Sequence, residues 1–132
     1  MARRRKPSFF VAVVDDDAGV RAALLSLLNS SGIRTRGFAS AEAFLQLKDT
    51  AAVACLILDM RLPGMSGLEL QRQLRAGGSN VPAIFVTAED DAGGRLRAQV
   101  TRAGALAVLR KPFDSEELTN LVQVALEAWQ AS

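Results

Sequence analysis

Histidine does not occur in this 132-residue chain. That absence excludes a histidine-dependent catalytic triad, a histidine metal site and a histidine phosphocarrier role. There is one cysteine, so no internal disulfide can form, and Cys55, set within an apolar run, reads as a small buried core residue. No apolar stretch approaches the roughly 20 residues needed to cross a bilayer. The segment from Met1 to Phe10 is basic and broken by Pro7, without the long apolar stretch of a secretory signal peptide. A cytoplasmic location is expected. Internal repeats, low-complexity tracts and internal linkers are also missing.

Excess charge is scarce once its position is considered. The formal net charge is +2, but Arg3, Arg4, Arg5 and Lys6 supply four of the 16 basic residues. The remainder sets 12 basic residues against 14 acidic ones, a net charge of −2. The globular part is therefore not basic, and direct nucleic-acid binding or membrane association by it is not expected. Residues 1–8 read as a solvated tail, and 9–130 as one domain. A chain of this length suits a single domain that buries about 70% of its unfolded surface.

What is present is a regular alternation. Phe9 to Val14 (FFVAVV) and Val53 to Leu58 (VACLIL) are continuous apolar runs, consistent with central strands covered on both faces. Ile33 to Phe38 alternates apolar and polar residues, as a half-buried strand near a sheet edge does. Val81 to Val86 and Leu106 to Leu109 complete five strands. Between them lie helical spacings: Leu24, Leu25 and Leu28, ended by Ser31-Gly32; Phe44, Leu45 and Leu47 after a cap at Ser40; Leu68, Leu70 and Leu74; a weak segment from Asp90 to Ala103; and Leu118, Leu121, Val122 and Leu126 after a capping box at Asp114 and Glu117. Gly93-Gly94 weakens the Asp90–Ala103 segment, each glycine costing about 1 kcal/mol against alanine. The pattern predicts an α/β fold with a doubly wound five-stranded parallel sheet and helices on both faces.

The polar residues fall where this fold needs them. Asp15, Asp16 and Asp17 end the first strand, Asp59 the third, Thr87 the fourth, and Lys111 follows the fifth. Ligands of open parallel sheets sit outside the carboxyl ends of the strands, so these groups converge on one edge. Clustered carboxylates raise one another's pKa unless a cation neutralises them. An oxygen-only ligand set without histidine or thiolate suits Mg²⁺. An ammonium and a hydroxyl beside a carboxylate that can act as nucleophile provide what a transferred phosphoryl group needs. Taken singly, Asp16 or Asp17 is a helix cap, Asp59 a turn residue, Thr87 a strand end and Lys111 a solvated lysine.

In order along the chain, VVDDD (Val13 to Asp17), LILDMRLPGMSGLEL (Leu56 to Leu70), FVTA (Phe85 to Ala88) and LRKPF (Leu109 to Phe113) resemble the receiver domain of two-component response regulators. The likeness runs from about Phe9 to about Trp129. It implies a flavodoxin-like fold with strand order 2-1-3-4-5 and a cis peptide before Pro112. It implies Asp59 as the phosphoacceptor, and Mg²⁺ held by Asp15, Asp16, Asp59 and the backbone carbonyl of Arg61. Thr87 and Ala88 would meet the phosphoryl group, and Lys111 would pair with it while having little to do at rest. A sensor histidine kinase or histidine phosphotransfer protein would be the donor, and a downstream target the recipient of the signal. Such a domain is a signalling module, not an enzyme beyond its own phosphorylation and slow dephosphorylation, and is a monomer or a weak phosphorylation-dependent dimer. Val108 departs from the family, which usually carries an aromatic residue there; a switch centred on Thr87 and the weak helix is expected instead. No output domain is expected within the chain, whether as a stand-alone receiver or as a piece of a longer protein. Two alternatives stay open: a haloacid-dehalogenase-like phosphatase with Asp15 as nucleophile in a D-x-D pattern with Asp17, and a phosphorylation-independent pseudo-receiver.

Overall fold

The computed structural model describes residues 8–48, 50–87 and 94–131. Of the expected basic tail, all but Ser8 lies outside the described residues, as does Ala88. Strands and helices alternate: β1 (Phe10–Val14), α1 (Ala18–Ser30), β2 (Thr35–Phe38), α2 (Ala41–Leu45), β3 (Val53–Asp59), α3 (Gly67–Ala76), β4 (Ala83–Thr87), α4 (Arg95–Arg102), β5 (Ala107–Arg110) and α5 (Ser115–Ala131). A 3₁₀ turn at Thr50–Ala52 leads into β3. All neighbouring strands pair in parallel, in the order β2-β1-β3-β4-β5.

The two apolar runs are continuous because helices cover both faces. Val11, Val13, Cys55, Ile57, Ile84 and Val86 point to one side, where Leu24 and Leu28 of α1 and Leu118, Val122 and Leu126 of α5 bury them. Ala12, Val14, Leu56, Leu58 and Phe85 point to the other, against Phe44 of α2, Leu70 of α3 and Val100 of α4. The period-two geometry of a strand thus divides one run between two cores. At the sheet edge β2 has no buried residue: Thr35 and Phe38 are half-buried, and Arg36 and Gly37 are exposed.

Helix ends follow local chemistry. Asp17 caps α1, accepting from the amides of Gly19 (2.9 Å) and Val20 (3.1 Å). Ser40 caps α2 through Ala43 N–H. Asp114 accepts from the amides of Glu116 and Glu117 at the start of α5. At α3, Ser66 and Glu69 form a reciprocal capping box, a pattern that Ser66-x-x-Glu69 announces in the sequence. The weak Asp90–Ala103 segment is helical from Arg95; its first four residues lie outside the described part. The Lys111–Pro112 peptide is cis.

Candidate functional site

Register brings the polar strand ends together. Val14 pairs with Leu58, so Asp15 and Asp59 leave β1 and β3 side by side. Asp59 lies beside Val86, one residue before Thr87, and Thr87 lies beside Arg110, one residue before Lys111. The Lys111 amide donates to the Thr87 carbonyl at 2.7 Å, carrying the β4–β5 ladder one residue past the strand.

The Lys111 ammonium stands 3.3 Å from Asp15 Oδ2 and 3.3 Å from Asp59 Oδ2, bridging the two carboxylates. Each carboxylate is also held through its other oxygen. Asp15 Oδ1 accepts from Asp17 N–H at 2.9 Å, and Asp59 Oδ1 accepts from Arg61 N–H at 2.9 Å. Asp15 is buried and Asp59 is partly open. Burial pushes the Asp15 carboxyl above its ordinary value, against the Asp17 amide and the Lys111 charge, and neighbouring Asp59 adds to the rise. Burial disfavours the Lys111 ammonium, but Asp59 and Asp15 outweigh it and hold its pKa above the usual lysine range. One ammonium is thus shared between two acids, and the expectation that Lys111 has little to do in the resting protein is corrected.

Asp16 brings a third carboxylate. One oxygen from each of Asp15, Asp16 and Asp59 lies within 4.8 Å of the others. Two of these acids share a single lysine charge and the third is exposed. All-oxygen donors with uncompensated negative charge fit a hard divalent cation. Asp17 turns away instead. Its carboxylate is occupied at the cap of α1, which leaves the D-x-D reading with Asp15 and Asp17 without geometric support.

Thr87 is buried at the end of β4. Val108, in register with Phe85, is half-buried on the side of α2, α3 and α4. Sequence reasoning did not find two supports of the site. Arg21, on α1, donates to the Asp15 carbonyl at 2.6 Å, and Glu42, on α2, accepts from Met65 N–H at 2.8 Å in the loop after Asp59. Glu42 carries no local signal, because it reaches a loop 23 residues from its own position, whereas Arg21 folds back over the first turn of α1 onto a residue six positions earlier.

Residues 11–123 match the family model of the response regulator receiver domain. The chain belongs to that family, the signal-receiving modules of two-component systems. It is 42% identical over 117 residues to the response regulator protein TmoT of Ectopseudomonas mendocina, covering 89% of this chain and 52% of that protein. Among solved structures, the response regulator StyR superposes with a TM-score of 0.84 at 41% identity, covering 95% of this chain and 62% of that one. A receiver protein from Pseudoalteromonas atlantica superposes with a TM-score of 0.83 at 28% identity, covering 90% of this chain and 98% of that one. The chain spans about half the length of the curated relatives it matches. Among the described residues no helix is long and apolar enough to cross a membrane.

Proposed function

We propose that Asp59 accepts a phosphoryl group from a phosphohistidine, carried by a sensor histidine kinase or a histidine phosphotransfer protein, in the cytoplasm. The observation that carries this reading is the Lys111 ammonium 3.3 Å from both Asp15 and Asp59 at the carboxyl edge of the sheet. A carboxylate oxygen of Asp59 attacks phosphorus, the P–N bond of the donor breaks, a P–O bond forms, and the imidazole leaves as the acceptor becomes an acyl phosphate. Asp15, Asp16, Asp59 and the Arg61 carbonyl would hold Mg²⁺, which supplies neutralisation of charge on the phosphoryl oxygens. Lys111 then exchanges carboxylate partners for a phosphoryl group of about −1.5 to −2 charge. Thr87, at the neighbouring strand end, donates a hydrogen bond from its hydroxyl to the same group. The changed edge is read by an output partner.

The test is intact mass after incubation with acetyl phosphate and Mg²⁺. Wild type gains one phosphate, Asp59→Asn gains none, and chelator suppresses the gain. Equal incorporation by both proteins overturns the assignment, and phosphate mapped to Asp15 would restore the phosphatase reading.

A further inference from the structure

Glu42 takes no part in the chemistry above, yet it reaches the loop that the chemistry depends on. It sits in the first turn of α2, and its Oε2 accepts from the Met65 amide 23 residues away at 2.8 Å. The carboxylate also lies directly over Gly64. A Cβ added to Gly64 would meet Glu42 Oε2 at 2.5 Å, and Gly64 has φ +75°, so a side chain here would displace the acid and strain the turn. The Met65 amide, and next Glu42's own amide, hold the Glu42 carboxyl below its ordinary value.

The loop from Asp59 to Ser66 is held unevenly between its ends. It begins with Arg61 N–H on Asp59 Oδ1 and finishes in the capping box of α3. Met60 and Leu62 are buried and anchor the first half, with Arg61 exposed between them. The second half is Pro63-Gly64-Met65: Pro63 has no N–H and Gly64 is the most permissive residue. There the bond from Glu42 ties the loop to α2. An acid in the first turn of a helix is favoured by the helix dipole alone. That bland account does not require the Met65 amide or the seat over Gly64.

We infer that Glu42 is a positioning residue for the cation, pinning Gly64–Met65 to α2 and so fixing the course of the backbone that presents the Arg61 carbonyl. The inference rests on the reading that this loop supplies a Mg²⁺ ligand. Partners hydrogen-bonded to a metal's ligands typically contribute about 10–100-fold in affinity; Glu42 acts one step further out, through Met65, and belongs at the low end.

The experiment uses the ¹⁵N-labelled chain and Mg²⁺ alone. Amide shifts over a Mg²⁺ titration give the Kd, and hydrogen exchange of Met65 in metal-free protein gives the state of the tether. Glu42→Ala is expected to raise the Kd about tenfold and to abolish Met65 protection, with phosphorylation by acetyl phosphate recovering at saturating Mg²⁺. Glu42→Gln keeps an acceptor oxygen and is expected to stay close to wild type in both measurements. A Glu42→Ala Kd within about twofold of wild type, with Met65 protection lost, overturns the positioning role, as does a Glu42→Gln variant as weak as Glu42→Ala. Asp16→Asn separates the two layers: if wild type and Asp16→Asn bind Mg²⁺ equally, the ligand assignment itself fails.

Discussion

The two sides of the carboxyl edge are built to different standards. On the β1–β3 side both oxygens of Asp15 and both of Asp59 are engaged, and the loop after Asp59 runs into α3 through a capping box. On the β4–β5 side, α4 follows Gly94, whose φ is +68°, and among the described residues no side chain caps it. A side-chain cap contributes about 1 kcal/mol to a helix start, and glycine at that position gives up a few tenths of it. One wall is fixed and the other is inexpensive to move. A group loaded onto Asp59 would therefore find its give in Thr87 and α4, while α3 stays in place.

The largest effect should come from loading the site. With beryllofluoride and Mg²⁺, backbone NMR shifts outside the acid pocket are expected to be greatest at Thr87 and across Arg95–Arg102, and small across α3. Moving a two-state equilibrium from 1:99 to 99:1 needs about 5.5 kcal/mol, much of which charge-assisted bonds to the phosphoryl oxygens can provide. Largest changes in Ala107–Arg110 and α5 would reverse the comparison, giving the moving part to β5 despite the stiff Val108.

Next in size is Ser66→Ala, which removes one half of the α3 capping box and unseats the other. A loss of about 1–2 kcal/mol is expected, read as a fall in Tm of several degrees. A Tm equal to wild type would mean that α3 is no better anchored than α4.

Gln71 tests the seam between these helices. It is buried on α3, and among the described residues neither polar atom of its side chain has a partner. It lies one turn from Gly67, which packs on Asp59 and Phe85, and one turn from Arg75, whose guanidinium donates to the Gly104 carbonyl after α4. Gln71→Leu should stabilise the resting domain by about 1 kcal/mol, since an unpaired buried amide costs about 1–3 kcal/mol. A lower Tm in urea or heat melts would show instead that the amide is needed there.

A smaller, pH-dependent effect belongs to Asp15. Because its carboxyl is raised in the fold, its ionisation opposes folding above that raised pKa, and the penalty disappears as pH falls below the unfolded value near 3.8. Metal-free Asp15→Asn should therefore melt higher than wild type at neutral pH, with the gap closing towards acid, and Mg²⁺ should raise the wild-type Tm. A gap that widens towards acid contradicts the burial argument. Smallest of all, Gly94→Asn should change Tm by under about 0.5 kcal/mol equivalent, since asparagine tolerates the left-handed conformation. A large loss would show that α4 is held more firmly than its start suggests.

The sheet and the convergence of Asp15, Asp59, Thr87 and Lys111 were legible because strands covered on both faces make unbroken apolar runs, and the polar residue ending each run lands on the same edge. Asp15, Asp16 and Asp17 look alike in sequence, and what separates them is burial for the first and a cap for the third, which depend on where α1 starts. The Ser66 capping box carries an S-x-x-E signature, yet only Leu68, Leu70 and Leu74 are read on that helix from sequence. Glu42 had none, since it meets Met65 through the fold; Arg21 meets the Asp15 carbonyl only six residues back, a contact set by where α1 starts. Gln71 followed the helical pattern as a polar residue beside Leu70, and only packing shows it to be buried.

Cys55, buried in β3 beneath α1 and α5, has its thiol pushed up to about 12 by its surroundings. In the native fold the thiol stays protonated at pH 8, and no reagent could reach it without the sheet opening. Alkylation of the intact protein is then a clock that ticks only when the domain comes apart. The ratio of its rate to that of an unfolded thiol reports the frequency of opening in plain buffer, and the same clock read with and without a loaded Asp59 would tell whether signalling loosens the interior or leaves it shut.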